Sequence, residues 1–155
     1  MKKIILFLAI LSVGFISSCS KDEDGNDATP NPNPNPNSNN VFTAKVNGVQ
    51  KVFKVASAKV LEYPAYTDIE ITAQMTDDPT NTFELNLSRD SGVPYFIQYS
   101  ETGTYYEAKP VESFPVTINE NSTKKMSGTF SGTMQETESG PGSVTITDGN
   151  FTIHF

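Results

Sequence analysis

Ile69, Ile71, Ala73 and Met75 alternate with Glu70, Thr72 and Gln74. After the break Asp77-Asp78-Pro79-Thr80-Asn81, the residues Phe83, Leu85 and Leu87 alternate with Glu84, Asn86 and Ser88. Successive side chains of an extended chain point to opposite faces, so each run has one dry face and one wet face. Two such runs joined by a short polar break predict antiparallel neighbours half-buried against one core.

The same reasoning extends along the chain. Val41 to Val46, Asn47-Gly48 and Val49 to Val55 read as a hairpin, because a type I′ turn needs positive φ at both central residues and Asn-Gly tolerates it. Weaker patterns predict strands over Ser57 to Glu62, Pro94 to Tyr99, Thr104 to Ala108 and Phe114 to Asn119. Met126, Gly128, Phe130, Gly132 and Met134 share a dry face, with Ser127, Thr129, Ser131 and Thr133 on the other; the glycines leave room for a neighbouring ring. Val144 and Ile146, then Asp148-Gly149-Asn150, then Phe151, Ile153 and Phe155 read as a second hairpin. About ten short strands without a helical period predict an all-β fold, an antiparallel β-sandwich, with a lipocalin-like closed barrel as the alternative. Both architectures alternate dry and wet faces, so local pattern does not separate them.

The N-terminal part follows different rules. Lys2 and Lys3 are followed by the apolar stretch Ile4 to Ile16 and by Ser17-Ser18, the pattern of a secretory signal over residues 1–18. As a helix the apolar stretch spans about 20 Å against about 30 Å of bilayer hydrocarbon, too short for a spanning segment. Cys19 is the only cysteine, and Ile16-Ser17-Ser18-Cys19 resembles the lipobox of bacterial lipoproteins, with isoleucine where leucine is commoner. The resemblance implies cleavage before Cys19 and lipid on its sulfur, an anchor that holds the chain on a membrane without crossing it. Ser20, Lys21, Asp22, Glu23 and Asp24 form a solvated acidic run. That run resembles the export signal of surface-displayed Bacteroidetes lipoproteins, which implies an outer-membrane anchor facing the cell surface; a periplasm-facing anchor is the alternative. Asp27 to Asn40 carries Pro30, Pro32, Pro34 and Pro36 among asparagines, so residues 19–40 read as a disordered, extended tether and residues 41–155 as a single domain.

The opening Phe42 to Gly48 taken with the ending Met126 to Thr133 and Val144 to Phe151 is similar to a family of small Bacteroidetes lipoproteins that carry one β-rich domain of unassigned function. The shared motifs are turn glycines and apolar strand positions, so the resemblance implies a fold and no catalytic residue.

Charge and residue types narrow the chemistry. The formal charge is −7, and residues 41–155 hold eight Lys or Arg against fourteen Asp or Glu, a net acidic surface that repels phosphate backbones and excludes nucleic acid as a partner. His154 is the only histidine and falls on a wet face, with no Ser or Cys nucleophile paired to it and no histidine cluster to hold zinc. The chain is read as a non-enzyme with neither cofactor nor metal, a surface binding or adhesion module, with a small-molecule carrier that uses a barrel cavity or a structural subunit of an envelope assembly as the alternatives. Asp77, Asp78 and Asn81, like Asp148 and Asn150, offer oxygen ligands, but their spacing is that of turns rather than of an EF-hand. The tyrosines all fall between Glu62 and Glu107. Tyr95, Phe96, Tyr99, Tyr105 and Tyr106 are the expected binding residues, for a protein or glycan ligand, on a strand that is apolar on both sides.

Overall fold

The computed structural model describes residues 29–30, 39–137 and 140–155. The expected signal, Cys19, the acidic run Ser20 to Asp24 and most of the proline spacer lie outside the described residues. Among the described residues there are ten strands: β1 (Thr29–Pro30), β2 (Val41–Val46), β3 (Val49–Glu62), β4 (Thr67–Met75), β5 (Thr82–Ser88), β6 (Pro94–Glu101), β7 (Thr104–Glu107), β8 (Val116–Asn121), β9 (Lys125–Glu136) and β10 (Ser143–His154). A single turn of 3₁₀ helix, Val111–Ser113, interrupts them.

The strands form a closed antiparallel barrel and not a sandwich. Neighbours run β3-β2-β10-β9-β7-β6-β5-β4, and β4 pairs with β3 again, so the wall has eight strands and no ends. Consecutive hairpins simply continue around until β10 meets β2. Closure rests on the length of β3. Its first residues, from Val49 to Phe53, pair with β2, and Phe53 to Glu62 pair with β4. β7 and β8 share one position in the wall: β7 pairs with β9 at Gln135 and Glu136, β8 with β9 between Met126 and Phe130.

The Asn47-Gly48 turn is as expected, with φ of 49° and 81°. Two sequence expectations are corrected. Val49 to Glu62 is one strand rather than two, with Ala56 as an extra residue between the pairs Val55↔Ala73 and Ser57↔Thr72. The second hairpin does not exist either. Ser143–His154 is one strand that pairs with β9 and β2 on both sides of Asp148, whose φ of 51° marks a bulge rather than a turn. Asn40, the residue before the expected start of the domain, accepts the His154 N–H through Oδ1 at 2.8 Å. Thr29–Pro30, within the expected tether, pairs with Glu62 and Leu61 on β3.

The lumen is filled with side chains. Phe42, Phe53, Phe83 and Phe130 are buried there, with ring centroids of neighbouring pairs 5.1 to 6.1 Å apart in tilted or edge-on contact. Ile69, Ile71, Leu85, Leu87, Ile97 and Ile153 complete the packing at 0–1% exposure. Outward positions carry Glu70, Thr72, Gln74, Glu84 and Asn86, all partly exposed. An apolar lumen inside a polar wall is a barrel arranged for water; barrels that cross a bilayer reverse that order.

Candidate binding site

The five aromatics singled out from the sequence separate into three places. The pairs Leu87↔Pro94 and Asn86↔Phe96 leave Tyr95 as an extra residue in β6, a bulge that breaks strict alternation. Tyr95 and Phe96 both face outward as a result, with Tyr95 45% exposed, while Pro94 and Ile97 are buried. Tyr99 was expected on the same face as Tyr95, but it lies inside the barrel at 0% exposure and belongs to the core. Its ring stacks on Tyr106 at 6.3 Å and meets Phe53 edge-on at 6.5 Å, so Tyr106 is a core neighbour as well. Tyr105 is exposed opposite Ser100, toward the other end of β6.

Sequence reasoning left Tyr63 and Tyr66 out of the expected binding residues. Tyr63 and Tyr66 flank Pro64-Ala65 in the turn between β3 and β4, and their rings stack at 4.5 Å with 23° between planes. The spacing of two tyrosines across a Pro-Ala turn was the available signal. Tyr95 donates its hydroxyl to the Asp68 carboxylate, and burial, followed by the charges of Asp68 and Glu70, holds the phenol well above its ordinary range. Burial, and then Glu70, raises the Asp68 carboxyl in turn, against the lowering effect of the Tyr95 hydrogen bond. The result is an aromatic, acidic patch on the outer wall.

A second outer feature lies across β8, β9 and β10. The bulge at Asp148 lifts β10 from its regular path, and Gly149 follows with no side chain, because a Cβ there would stand 2.5 Å from the Phe130 ring. The groove beside them has a volume of about 600 Å³, with Pro115 exposed on its floor and Phe130 and Gly149 buried below it. Thr117, Thr129, Ser131, Thr147 and Asn150 stand around that floor, with Asp148 among them. Thr117, Thr129 and Asn150 lie in register across the three strands. Asp148 is paired with Lys45 at 2.7 Å, so its charge is matched. Another groove of about 550 Å³ separates β6 from β8, where Gly92 packs on Ile118 and the walls include Val93, Pro94, Phe114 and Val116.

In the Asp77 to Asn81 loop, the Asp78 oxygens are occupied by the turn itself. Asp78 accepts the Thr80 hydroxyl at 2.6 Å, the Thr80 N–H at 3.1 Å and the Asn81 amide at 3.1 Å. These bonds, the Thr80 hydroxyl first, hold its carboxyl below the usual range. Asn81 Oδ1 in turn accepts the Thr102 N–H at 2.8 Å, tying this loop to the β6–β7 turn. His154 is half-buried on β10, held through its backbone by Asn40. Compared with protein families, with curated proteins and with solved structures, the chain matches none.

Proposed function

We propose that this chain is a lipid-anchored, surface-facing, non-catalytic binding module that meets its ligand on the outside of the barrel. The observation that carries the reading is the contrast between lumen and wall. Phe42, Phe53, Phe83, Phe130 and Tyr99 occupy the space in which a small-molecule carrier of this architecture holds its cargo. The outer wall, by contrast, carries a concave groove with converging polar side chains and an exposed aromatic patch at Tyr63, Tyr66 and Tyr95. Cys19 supplies the anchor and Asp22, Glu23 and Asp24 the surface address, with the proline spacer holding the domain away from the membrane.

Two experiments test this reading. Metabolic labelling with a fatty-acid probe tags the wild type and misses Cys19→Ser; equal labelling of both sinks the anchor. Intact cells are then compared, with and without the displayed domain, for retention on immobilised glycans, matrix proteins and envelope extracts. Retention on at least one of them, lost when surface protease removes the domain, is the expected result. Equal retention of both cell types on every surface overturns the binding reading.

A further inference from the structure

We propose that the outer-wall patch of Tyr63, Tyr66 and Tyr95 with Asp68 and Glu70 is the seat of an arginine side chain from a partner protein. The inference rests on the reading of the outer wall as the binding face and adds the chemistry of the ligand. Its first support is the rings. Among the described residues, every other ring-to-ring contact includes a buried core ring, whereas Tyr63 and Tyr66 stack outside the core at 4.5 Å. Tyr66 is 39% and Tyr95 45% exposed, and Tyr63 is half-buried without joining the core that takes in Tyr106. Rings this exposed add little to the core, and a cation laid over an aromatic face is attracted by the ring's quadrupole.

The second support is charge. Asp68 and Glu70 share the wet face of β4, and Asp90 joins them by accepting the Thr67 N–H at 3.2 Å. Among the described residues only Lys59 comes within ion-pair distance of these carboxylates, and its contact with Glu70 is 3.9 Å, against 2.6 to 2.8 Å in the other ion pairs. Asp68 has no cation of its own, although burial and the like charge of Glu70 both raise its carboxyl. Arg89, the only arginine of the chain, is engaged elsewhere: it donates to the Ser122 carbonyl and lies 5.1 Å from the Phe155 ring centroid. A second copy therefore brings no free arginine, and the one that matches the patch comes from another protein. The third support is arrangement. Tyr95, the extra residue in β6, reaches across β5 and donates its hydroxyl to Asp68, which brings the third ring to the carboxylates. A guanidinium is flat, weakly hydrated and forked, so it can lie on a tyrosine ring and bond a carboxylate at once, where an ammonium offers only a compact, strongly hydrated charge.

The test uses the full-length protein in detergent micelles and saturation-transfer NMR with a capped Gly-Ser-Arg-Ser-Gly peptide. The same peptide with lysine, trimethyllysine or citrulline in place of the arginine serves as comparator. Transfer to the arginine methylenes is expected, stronger than to either lysine form and weakest with citrulline. Asp68→Asn removes the charge but keeps an acceptor for the Tyr95 hydroxyl, and Tyr66→Ala removes an exposed ring; each weakens binding about two- to fivefold with the cooperative melt retained. Glu112→Gln and Tyr105→Ala, an exposed carboxylate and an exposed ring away from the patch, leave it unchanged. No transfer to the arginine peptide overturns the proposal, as does equal or better binding of citrulline or of a lysine form. Weakening by Glu112→Gln as large as that by Asp68→Asn also overturns it, since the peptide is then drawn to the acidic surface as a whole. If the proposal fails while cells carrying the domain are still retained on a surface, the module reading stands with its site elsewhere; if they are retained on none, both fail.

Discussion

Gly128 faces the lumen between Met126 and Phe130, where a Cβ would stand 2.5 Å from the Thr117 carbonyl oxygen and 2.8 Å from Cε1 of Phe151. The ring could turn, but the carbonyl belongs to β8 and cannot retreat without loosening its pairing with β9. Gly128→Ala therefore costs about 1–3 kcal/mol, read as a lower urea midpoint at unchanged slope. Two carboxylates on the wall respond to acid with opposite signs. Lys109 at 2.7 Å, aided by Gln98 at 3.0 Å, holds the Glu107 carboxyl below its ordinary range. Its stabilisation is present above the unfolded value and is lost as pH falls through the lower, folded value. Asp68 is raised instead, so the cost of its charge is relieved as pH falls through its folded value. Melting temperatures followed from neutral to acid pH decline less steeply in Glu107→Gln than in the wild type; parallel curves would show that the pair contributes nothing.

At the scale of elements, the strands were legible wherever alternation is unbroken, and the failures have one cause. Ile69 to Met75 and Phe83 to Leu87 keep strict period, and their buried and exposed positions are those that the pattern predicts. Ala56, Tyr95 and Asp148 are each one extra residue in an otherwise regular ladder, and each shifts the parity of everything beyond it. That is why Tyr99 was counted with Tyr95 among the binding residues, and why Asp148-Gly149-Asn150 looked like a turn between two strands. The groove was illegible for the same reason: Thr129 and Ser131 were readable as a wet face, but the concavity beside them comes from the bulge. This yields a pair of deletions with different outcomes. Removing Asp148 leaves Ile146, Gly149, Phe151 and Ile153 facing inward in regular alternation, so the barrel folds and only the groove flattens. Removing Asn150 instead uses up the spare residue and turns the Asp148 carboxylate toward the lumen, an uncompensated burial of charge. Thermal melts should show the second deletion far less stable than the first; equal loss in both would mean that the bulge itself is needed for closure.

For the whole molecule, closure and the single core are the same fact seen twice. Pairing of β3 with both β2 and β4 removes the sheet's ends, and the rings of Phe42, Phe53, Phe83 and Phe130 touch across the lumen that closure encloses. Single-sequence pattern could not see this, because pairing between the first and last strands joins residues more than a hundred positions apart, as in Phe42↔Phe151. Non-local closure also sets where the chain can be cut. Among the described residues, every buried apolar side chain lies between Phe42 and Ile153, and Asn40 bonds that unit through the His154 N–H. Thr29–Pro30 adds one short pairing on β3. A soluble fragment of residues 39–155 is therefore expected to fold without anchor or tether, with a sheet-type far-UV circular dichroism spectrum and one cooperative melt. A fragment beginning at residue 44 keeps most of the sequence but loses Phe42, whose ring meets three others at 5.1 to 5.7 Å, and the three rungs that Val41, Phe42 and Thr43 make against β10. Removing a buried phenylalanine costs about 3–5 kcal/mol, a large part of the stability of a domain this size, so the shorter fragment is expected to melt broadly or not at all. A coil spectrum from residues 39–155 would show that the barrel depends on the chain preceding it.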